Sequence, residues 1–139
     1  MRVVLDTNVL ISALLLESSL PALLVTHWRQ GRFELLTAPP QLEELNRVTR
    51  YPKIRERLKP ALAGRLINDL RELALLVEPL PFVDLSPDPY DNYLLAIALG
   101  GGADCLVTGD KSDLLFLEKH GKTRIQSVRD FIAVNRLNV

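Results

Sequence analysis

The sequence predicts an α/β fold, namely a three-layer α/β/α sandwich with a central parallel sheet. Short apolar and β-branched runs, typical of buried strands, alternate along the chain with longer segments of helical periodicity. Prolines and glycines lie between these segments, where they favour turns. Because the chain has 139 residues, we expect a single domain, 1–139, with one sizeable core.

The elements of the first half are predicted from local signals. Ser19 with Pro21 marks the start of a helix, because serine caps a helix and proline favours its first turn. A residue before proline disfavours helix, so Tyr51-Pro52 closes the helix that begins at Pro39 and Pro40. The predicted elements are strand 3–5, helix 8–16, helix 20–30 with a stop at Gly31, strand 33–36 and helix 39–50.

The second half begins with an amphipathic helix at Pro60. Its apolar stripe is predicted to contain Leu62, Leu66, Leu70, Leu73 and Ala74. Four prolines indicate a loop over 79–89, and the glycine run 100–102 ends a strongly apolar helix. The other predicted elements are a short strand 76–78, helix 91–99, strand 105–107, turn 108–110, helix 114–119, strand 123–126 and a terminal helix capped by Ser127 and Asp130.

The composition excludes several classes of protein. No apolar run approaches the roughly 18–20 residues of a membrane span, and the N-terminus lacks the regions of a signal peptide. The one cysteine, Cys105, excludes an intrachain disulfide and a thiolate zinc site. We therefore expect a cytoplasmic protein that does not associate with a membrane.

Charge is unevenly distributed, although 17 basic residues balance 17 acidic ones. A net charge of zero gives no global attraction toward a polyanion. The segment 47–59, however, carries six basic residues against the single acid Glu56: Arg47, Arg50, Lys53, Arg55, Arg57 and Lys59. This basic segment is either a solvated helix end and loop or a surface that contacts phosphate groups.

Two aspartates follow predicted buried strands. Asp6 comes directly after the first strand, and Asp110 comes after the strand that contains Cys105. In open parallel sheets the chemistry lies beyond the carboxyl ends of the strands. Asp6 alone could simply cap the next helix, but two acids at two such strand ends favour a functional site.

Two further acids lie on helices and lean toward the core by periodicity. In the helix after Pro40, Glu44 falls at the edge of the apolar face, whereas Glu43 points nearly opposite. Asp91 shares a face with apolar residues of the predicted helix 91–99, but its charge could instead simply stabilise the amino end of that helix. Asp88, just before Pro89, is expected to cap that helix.

Four carboxylates at one site repel one another unless protons or a cation offset their charge. An all-oxygen site of this kind suits Mg²⁺ or Mn²⁺. Histidine is not needed in such a site. His27 and His120 are expected on helices away from the acids, with structural roles only.

These residues resemble the PIN domain family, in particular its toxin-like (VapC-like) bacterial and archaeal members. The likeness covers essentially the whole chain, and its specificity comes from the order and spacing of four stretches. They are 3–14 (VVLDTNVLISAL), 41–53 (QLEELNRVTRYPK), 88–99 (DPYDNYLLAIAL) and 106–115 (LVTGDKSDLL).

The resemblance implies a site and an activity. It implies an acidic quartet that holds Mg²⁺ or Mn²⁺, formed by Asp6, Glu44, Asp91 and Asp110. Asn8 and Thr108 match supporting polar positions, and Asp113 falls where many members carry an acid and could share the fourth role. Tyr90 and Asn92 stand where some relatives have further acids, so contacts in the metal's outer shell are in doubt.

The implied reaction is hydrolysis of an RNA phosphodiester by a water molecule that Asp91 or Asp110 orients, leaving a 3′-hydroxyl and a 5′-phosphate. Arg47, Arg50, Lys53 and Arg55 are candidates for contacting the RNA backbone. By family likeness, the partners expected are an RNA substrate, an antitoxin protein and a second copy in a homodimer.

Three alternatives compete with this interpretation. A phosphotransferase of the haloacid dehalogenase type would need an acid at the position of Asn8, and a receiver-like signalling module would need paired acids at the first strand. A PIN-fold protein that binds RNA or a partner without cutting it is opposed only by the complete quartet. Within the enzyme class, an RNA-processing nuclease outside a toxin–antitoxin pair stays open.

Overall fold

The apolar run after Met1 forms the first strand of a six-stranded sheet. The structure is a computed structural model, and it describes residues 1–109 and 112–137. The elements in chain order are β1 (Arg2–Leu5), α1 (Thr7–Leu15), α2 (Leu20–Arg29), β2 (Glu34–Thr37), α3 (Pro39–Val48), α4 (Pro52–Arg55), α5 (Pro60–Leu73), β3 (Leu75–Leu76), α6 (Pro89–Gly101), β4 (Cys105–Thr108), α7 (Ser112–Leu117), β5 (Lys119–His120), β6 (Thr123–Ser127) and α8 (Val128–Val134).

The sheet has the strand order β3-β2-β1-β4-β6-β5, with every neighbouring pair parallel except β5 and β6. β1 and β4 lie side by side in the middle, and their register pairs Leu5 with Val107. The residues that follow these two positions, Asp6 and Thr108, therefore lie next to each other at the carboxyl edge of the sheet. This arrangement confirms the predicted α/β/α class.

Side chains of the central strand alternate between two apolar layers, as the period of a β-strand requires. Val3 and Leu5 pack into one cluster, which is covered by helices α1, α2, α5 and α8. Val4 packs into the other cluster, which α6 covers with Leu94 and Ile97. All of these side chains are buried, and each contributes about 1.5–3 kcal/mol to folding by leaving water.

Helix α6 lies close to the sheet because glycine is present at its carboxyl end. A Cβ atom at Gly101 would lie 2.7 Å from Cδ1 of Leu36 and 2.9 Å from Cγ2 of Val77. The helix continues through Gly101 and ends at Gly102, which has a left-handed backbone with φ of +63°. The sequence predicted an end at Leu99, two residues too early.

The prediction of helix over 114–119 was wrong at its end. α7 stops at Leu117, and Lys119 and His120 form β5, which pairs antiparallel with β6. The chain reverses through Glu118 and Gly121, whose φ angles are +57° and +60°. A non-glycine residue with positive φ gives little local signal, and the hairpin depends on pairing with β6.

The apolar stripe of α5 was predicted only in part. Leu66 and Leu70 are buried as expected, but Ala63 and Ile67 complete the buried face. Leu73 is 57% exposed, because it lies in the last turn beyond the edge of the core.

Within the described residues no single helix has the length and apolar character to cross a membrane. The pair α1 and α2, bent by 102°, meets the criterion by length and composition only.

Candidate metal and active site

Asp6 lies at the carboxyl edge of the sheet, between the end of β1 and the start of α1. Its side chain is completely buried. Oδ1 accepts hydrogen bonds from the main-chain N–H of Asn8 at 3.0 Å and from the Tyr90 hydroxyl at 2.8 Å, and Oδ2 accepts one from the Thr108 hydroxyl at 2.8 Å. Asp6 therefore caps α1 and also joins β4 and α6.

The two supporting residues expected from the resemblance lie differently. Thr108 contacts Asp6 with its side chain, and it is completely buried. Asn8 contacts the same carboxylate only with its main-chain N–H, and its side chain is exposed. A side-chain role for Asn8 toward Asp6 is thus not visible in the structure.

Glu44 leans inward from α3, while its neighbour Glu43 is exposed. Oε2 of Glu44 accepts a hydrogen bond from the Tyr93 hydroxyl at 3.1 Å. Ala38, the N-cap residue just before the helix, is buried and gives no side-chain cap. Pro39 and Pro40 start the helix instead, and the helical period then places Glu44 at the edge of the buried face, as predicted.

Asp91 lies in the first turn of α6 and is buried, with 1% of its surface exposed. Its Oδ2 atom accepts a hydrogen bond of 3.3 Å from the Ser86 hydroxyl. Asp88 caps the helix by accepting from the main-chain N–H of Tyr90 at 3.0 Å, as the sequence predicted. Because Asp88 serves the first turn, Asp91 at the third helical position is not needed for capping.

Asn92 shapes the loop in front of α6. Its Oδ1 atom accepts from the main-chain N–H groups of Leu85 and Ser86 at 3.0 and 2.8 Å, and its Nδ2 donates to the Ser86 carbonyl at 2.9 Å. This clamp fixes the residue whose hydroxyl contacts Asp91. Asn92 therefore has a defined structural role at a position where some relatives carry an acid.

Two tyrosines of α6 contact the candidate acids, and sequence reasoning missed both contacts. Tyr90 donates to Asp6 and Tyr93 donates to Glu44, and their rings meet edge-on with centroids 5.2 Å apart. Burial and the nearby acids raise the pKa of each phenol well above its ordinary value, so both hydroxyls stay protonated at neutral pH. Their i, i+3 spacing on one helix face was the available signal.

A buried chain of polar side chains supports the same edge and was also missed. Gln41 bonds the Thr37 hydroxyl at 2.7 Å, the Leu5 carbonyl at 2.7 Å and the Thr7 hydroxyl at 3.4 Å. The Thr7 hydroxyl lies 2.9 Å from that of Tyr93. One signal was a glutamine four residues before the buried Leu45, which places an amide on the apolar face of α3.

The remaining sequence-predicted residues lie elsewhere or outside the description. Asp110 lies outside the described residues, and Asp113 lies on α7 with a side chain that is not described. The basic residues Arg47, Arg50, Lys53 and Arg55 are exposed on α3, α4 and the turn between them. Arg50 and Arg55 border a shallow depression with Asn46 and Thr49.

The donor set at the carboxyl edge suits a hard divalent cation. Over residues 1–109 and 112–137, no three histidine, cysteine, aspartate or glutamate side chains form a ready metal cluster. The carboxylates of Asp6, Glu44 and Asp91 nevertheless occupy the same edge through shared contacts with α6. Asp6 accepts three hydrogen bonds where an ionised carboxylate offers about four acceptor positions, so Oδ2 retains one for a cation.

The partners of Asp6 are also electrically neutral. They are two hydroxyl groups and one main-chain amide, so among the described residues no cationic side chain neutralises this buried charge. Burial of an ionised carboxylate is costly without compensation. Oxygen donors of this kind are the ligands that Mg²⁺ and Mn²⁺ prefer.

The comparisons agree with this architecture. The chain matches the PIN domain family over residues 2–112, a range that contains β1, α3, α6 and β4, and it belongs to that family. PIN domains are generally nucleases that depend on divalent metals such as Mg²⁺ or Mn²⁺.

The chain is also similar to the uncharacterized protein MJ1680 of Methanocaldococcus jannaschii. The two are 27% identical over 122 residues, which cover 87% of this chain and 77% of the relative. No solved structure matches the chain significantly.

Proposed function

We propose that this protein is a divalent-metal-dependent endoribonuclease whose active site is the carboxyl edge of the sheet. The observation that carries the proposal is the buried carboxylate of Asp6, which neutral donors hold at the end of the central strand of a PIN domain. Substrate reaches this edge from the side on which Glu44 and the basic segment are partly or fully exposed.

Asp6, Glu44, Asp91 and Asp110 would hold Mg²⁺ or Mn²⁺, and Asp113 could share the fourth role. When bound, such a cation lowers the pKa of a water molecule and stabilises charge on a phosphoryl oxygen. Thr108 holds Asp6 in place, and the Ser86 hydroxyl fixes one oxygen of Asp91. Asp91 would orient the attacking water, with Asp110 as the alternative.

The RNA backbone would lie along the basic segment. Arg47 follows Glu44 by three residues on the same helix, so the two side chains are neighbours on the helix surface. The exposed guanidinium of Arg47 therefore lies next to the acidic edge. Arg50, Lys53 and Arg55 continue this positive surface over the turn and α4. Phosphate contacts of this kind position a substrate without reading its sequence.

A matched pair of substitutions tests the proposed chemistry. Structured and single-stranded RNAs are incubated with the wild-type protein, with Glu44→Gln and with Glu43→Gln, in Mn²⁺, in Mg²⁺ and in excess chelator. We expect cleavage that needs metal, falls by about 100-fold or more in Glu44→Gln and is unchanged in Glu43→Gln. Equal activity of the two variants would contradict the assignment of Glu44.

The more specific proposal is that the protein is the toxin of a type II toxin–antitoxin system, cytoplasmic, homodimeric and silenced by an antitoxin protein. Its support is the resemblance of the four motif stretches to VapC-like members. Induced expression of the wild-type protein in a bacterial host should arrest growth, and Glu44→Gln should not. Cleavage without growth arrest would favour an RNA-processing nuclease, and RNA binding without cleavage would favour a non-catalytic PIN module.

A further inference from the structure

We propose that Tyr93 is a positioning residue for the carboxylate of Glu44, and that a one-way chain of hydrogen bonds through Thr37, Gln41 and Thr7 orients it. The inference rests on the proposed function, because it concerns a candidate ligand of the cation. It assigns a role to residues outside the four acids.

The orientation of the Gln41 amide is fixed by its partners. Nε2 lies 2.7 Å from the carbonyl oxygen of Leu5, which can only accept, so this end of the amide must be the NH₂ group. Oε1 then faces the Thr37 hydroxyl at 2.7 Å and accepts its proton. The second proton of Nε2 points to the Thr7 hydroxyl at 3.4 Å.

The orientation of the two hydroxyl groups that follow is fixed in turn. Tyr93 carries one proton, which it donates to Oε2 of Glu44 at 3.1 Å. The contact of 2.9 Å between Thr7 and Tyr93 must therefore be donated by Thr7. Apart from the Gln41 proton that goes to the Leu5 carbonyl, every donor then points along the chain toward Glu44, and the last acceptor is a carboxylate oxygen.

The first three residues of the chain are buried, and Tyr93 and Glu44 at its end are partly buried, so a change at one link affects the next. Thr37, Gln41 and Thr7 are each 1% exposed. A buried polar group that loses one hydrogen-bond partner cannot replace it with water. It can keep its remaining hydrogen bonds only if it stays in its present orientation. The chain also joins the ends of β1 and β2 to α3 and α6, so it couples the position of Glu44 to the helix that carries Asp91.

The test is a double-mutant cycle read by Mn²⁺ affinity, with isothermal titration calorimetry on the metal-free protein. Tyr93→Phe and Thr7→Val should each weaken Mn²⁺ binding by about 10-fold, in the range typical of groups that hold a metal ligand. Thr7→Ser retains the hydroxyl and should bind as the wild type does. The double variant should be no weaker than Tyr93→Phe alone, because Thr7 acts through Tyr93.

A matched control is Thr49→Val, which removes a buried hydroxyl at the carboxyl cap of α3 that donates to main-chain carbonyls of this helix. This variant should leave Mn²⁺ affinity unchanged. If Thr7→Val does not fold, Thr37→Val replaces it. That variant should weaken binding in the wild-type background and have no effect in Tyr93→Phe.

The outcomes separate this inference from the proposed function. Additive losses in the double variant, or Mn²⁺ affinities equal to wild type in Tyr93→Phe, would overturn the positioning role while wild-type cleavage still supports the nuclease. A folded wild-type protein that binds no Mn²⁺ and cleaves no RNA would overturn both. Loss of affinity that Thr7→Ser restores, with no further loss in the double variant, supports the proposal.

Discussion

Asp104 and Asp6 lie at opposite edges of the same sheet, and their surroundings differ. At the amino edge, Asp104 is half-exposed, accepts from the main-chain N–H of Arg2 at 2.8 Å and lies 3.5 Å from the ammonium of Lys122. At the carboxyl edge, Asp6 is buried and its partners in the described residues are neutral donors. One edge pairs its acid with a cationic side chain, whereas the other holds its acid with neutral donors alone, as the proposed cation site requires.

We propose that this difference distinguishes an acid with a structural role only, Asp104, from an acid that also takes part in the chemistry, Asp6. An exposed ion pair contributes little and tolerates substitution. A buried carboxylate with several fixed donors loses those contacts together when it is changed. Substitutions should therefore have larger effects at the carboxyl edge than at the amino edge.

Among the side chains around the proposed acids, the largest effect is expected for the hydroxyl that holds Asp6. Thr108→Val keeps the shape of the side chain but removes the donor at 2.8 Å from Oδ2. We expect the rate of RNA cleavage and the affinity for Mn²⁺ to fall by about 10- to 100-fold. Thr108→Ser should restore both. A Thr108→Val variant that binds and cleaves like the wild type would show that the hydroxyl has no part in holding the site.

A smaller effect is expected for the basic segment, whose exposed side chains would contact the substrate outside the buried site. Arg50→Gln with Arg55→Gln should raise KM for RNA and leave kcat unchanged, since these side chains are exposed. If each contacts one phosphate, the slope of log affinity against log salt should decrease by about 0.7 per charge for single-stranded RNA. Arg129→Gln, on the exposed face of α8, is the control and should change neither quantity.

The smallest effect is expected at the amino edge. The main-chain N–H of Arg2, aided by Lys122, holds the pKa of Asp104 below its usual value. A lowered pKa in the folded state contributes stability above the ordinary carboxyl range, and this stability is lost as the pH falls through the folded value.

Asp104→Asn should therefore lower the melting temperature slightly at neutral pH, and the difference should vanish in acid. Cleavage should be unchanged. A melting difference that grows as the pH falls would have the wrong sign for this account.

Sequence periodicity was sufficient where one element decides the outcome. The helical period separated Glu44 from Glu43, and the proline after Asp88 predicted that residue as a cap. The short apolar runs predicted the strands of the sheet, because the burial of a strand depends more on its own apolar pattern than on which strand lies beside it. The resemblance gave Thr108 a supporting polar position at the end of its strand, and in the structure its hydroxyl donates to Asp6.

Sequence reasoning failed where two distant segments decide together. The bond between Tyr90 and Asp6 joins residues 84 positions apart, and the one between Thr7 and Tyr93 joins residues 86 apart. The periodicity of a single helix or strand cannot predict contacts between residues so far apart in the sequence. The prediction of helix at Lys119 and His120 was wrong for the same reason, because this short strand forms only by pairing with β6.

The central claim is that Asp6 anchors a metal-dependent nuclease site, and its most direct test is the rate of RNA cleavage by Asp6→Asn. The amide of asparagine retains one acceptor oxygen, but it lacks the negative charge that attracts a cation. We expect wild-type protein in Mn²⁺ to cleave RNA, chelator to abolish cleavage, and folded Asp6→Asn to show no cleavage above background. Cleavage by Asp6→Asn at the wild-type rate, or by wild type in excess chelator, would contradict this claim.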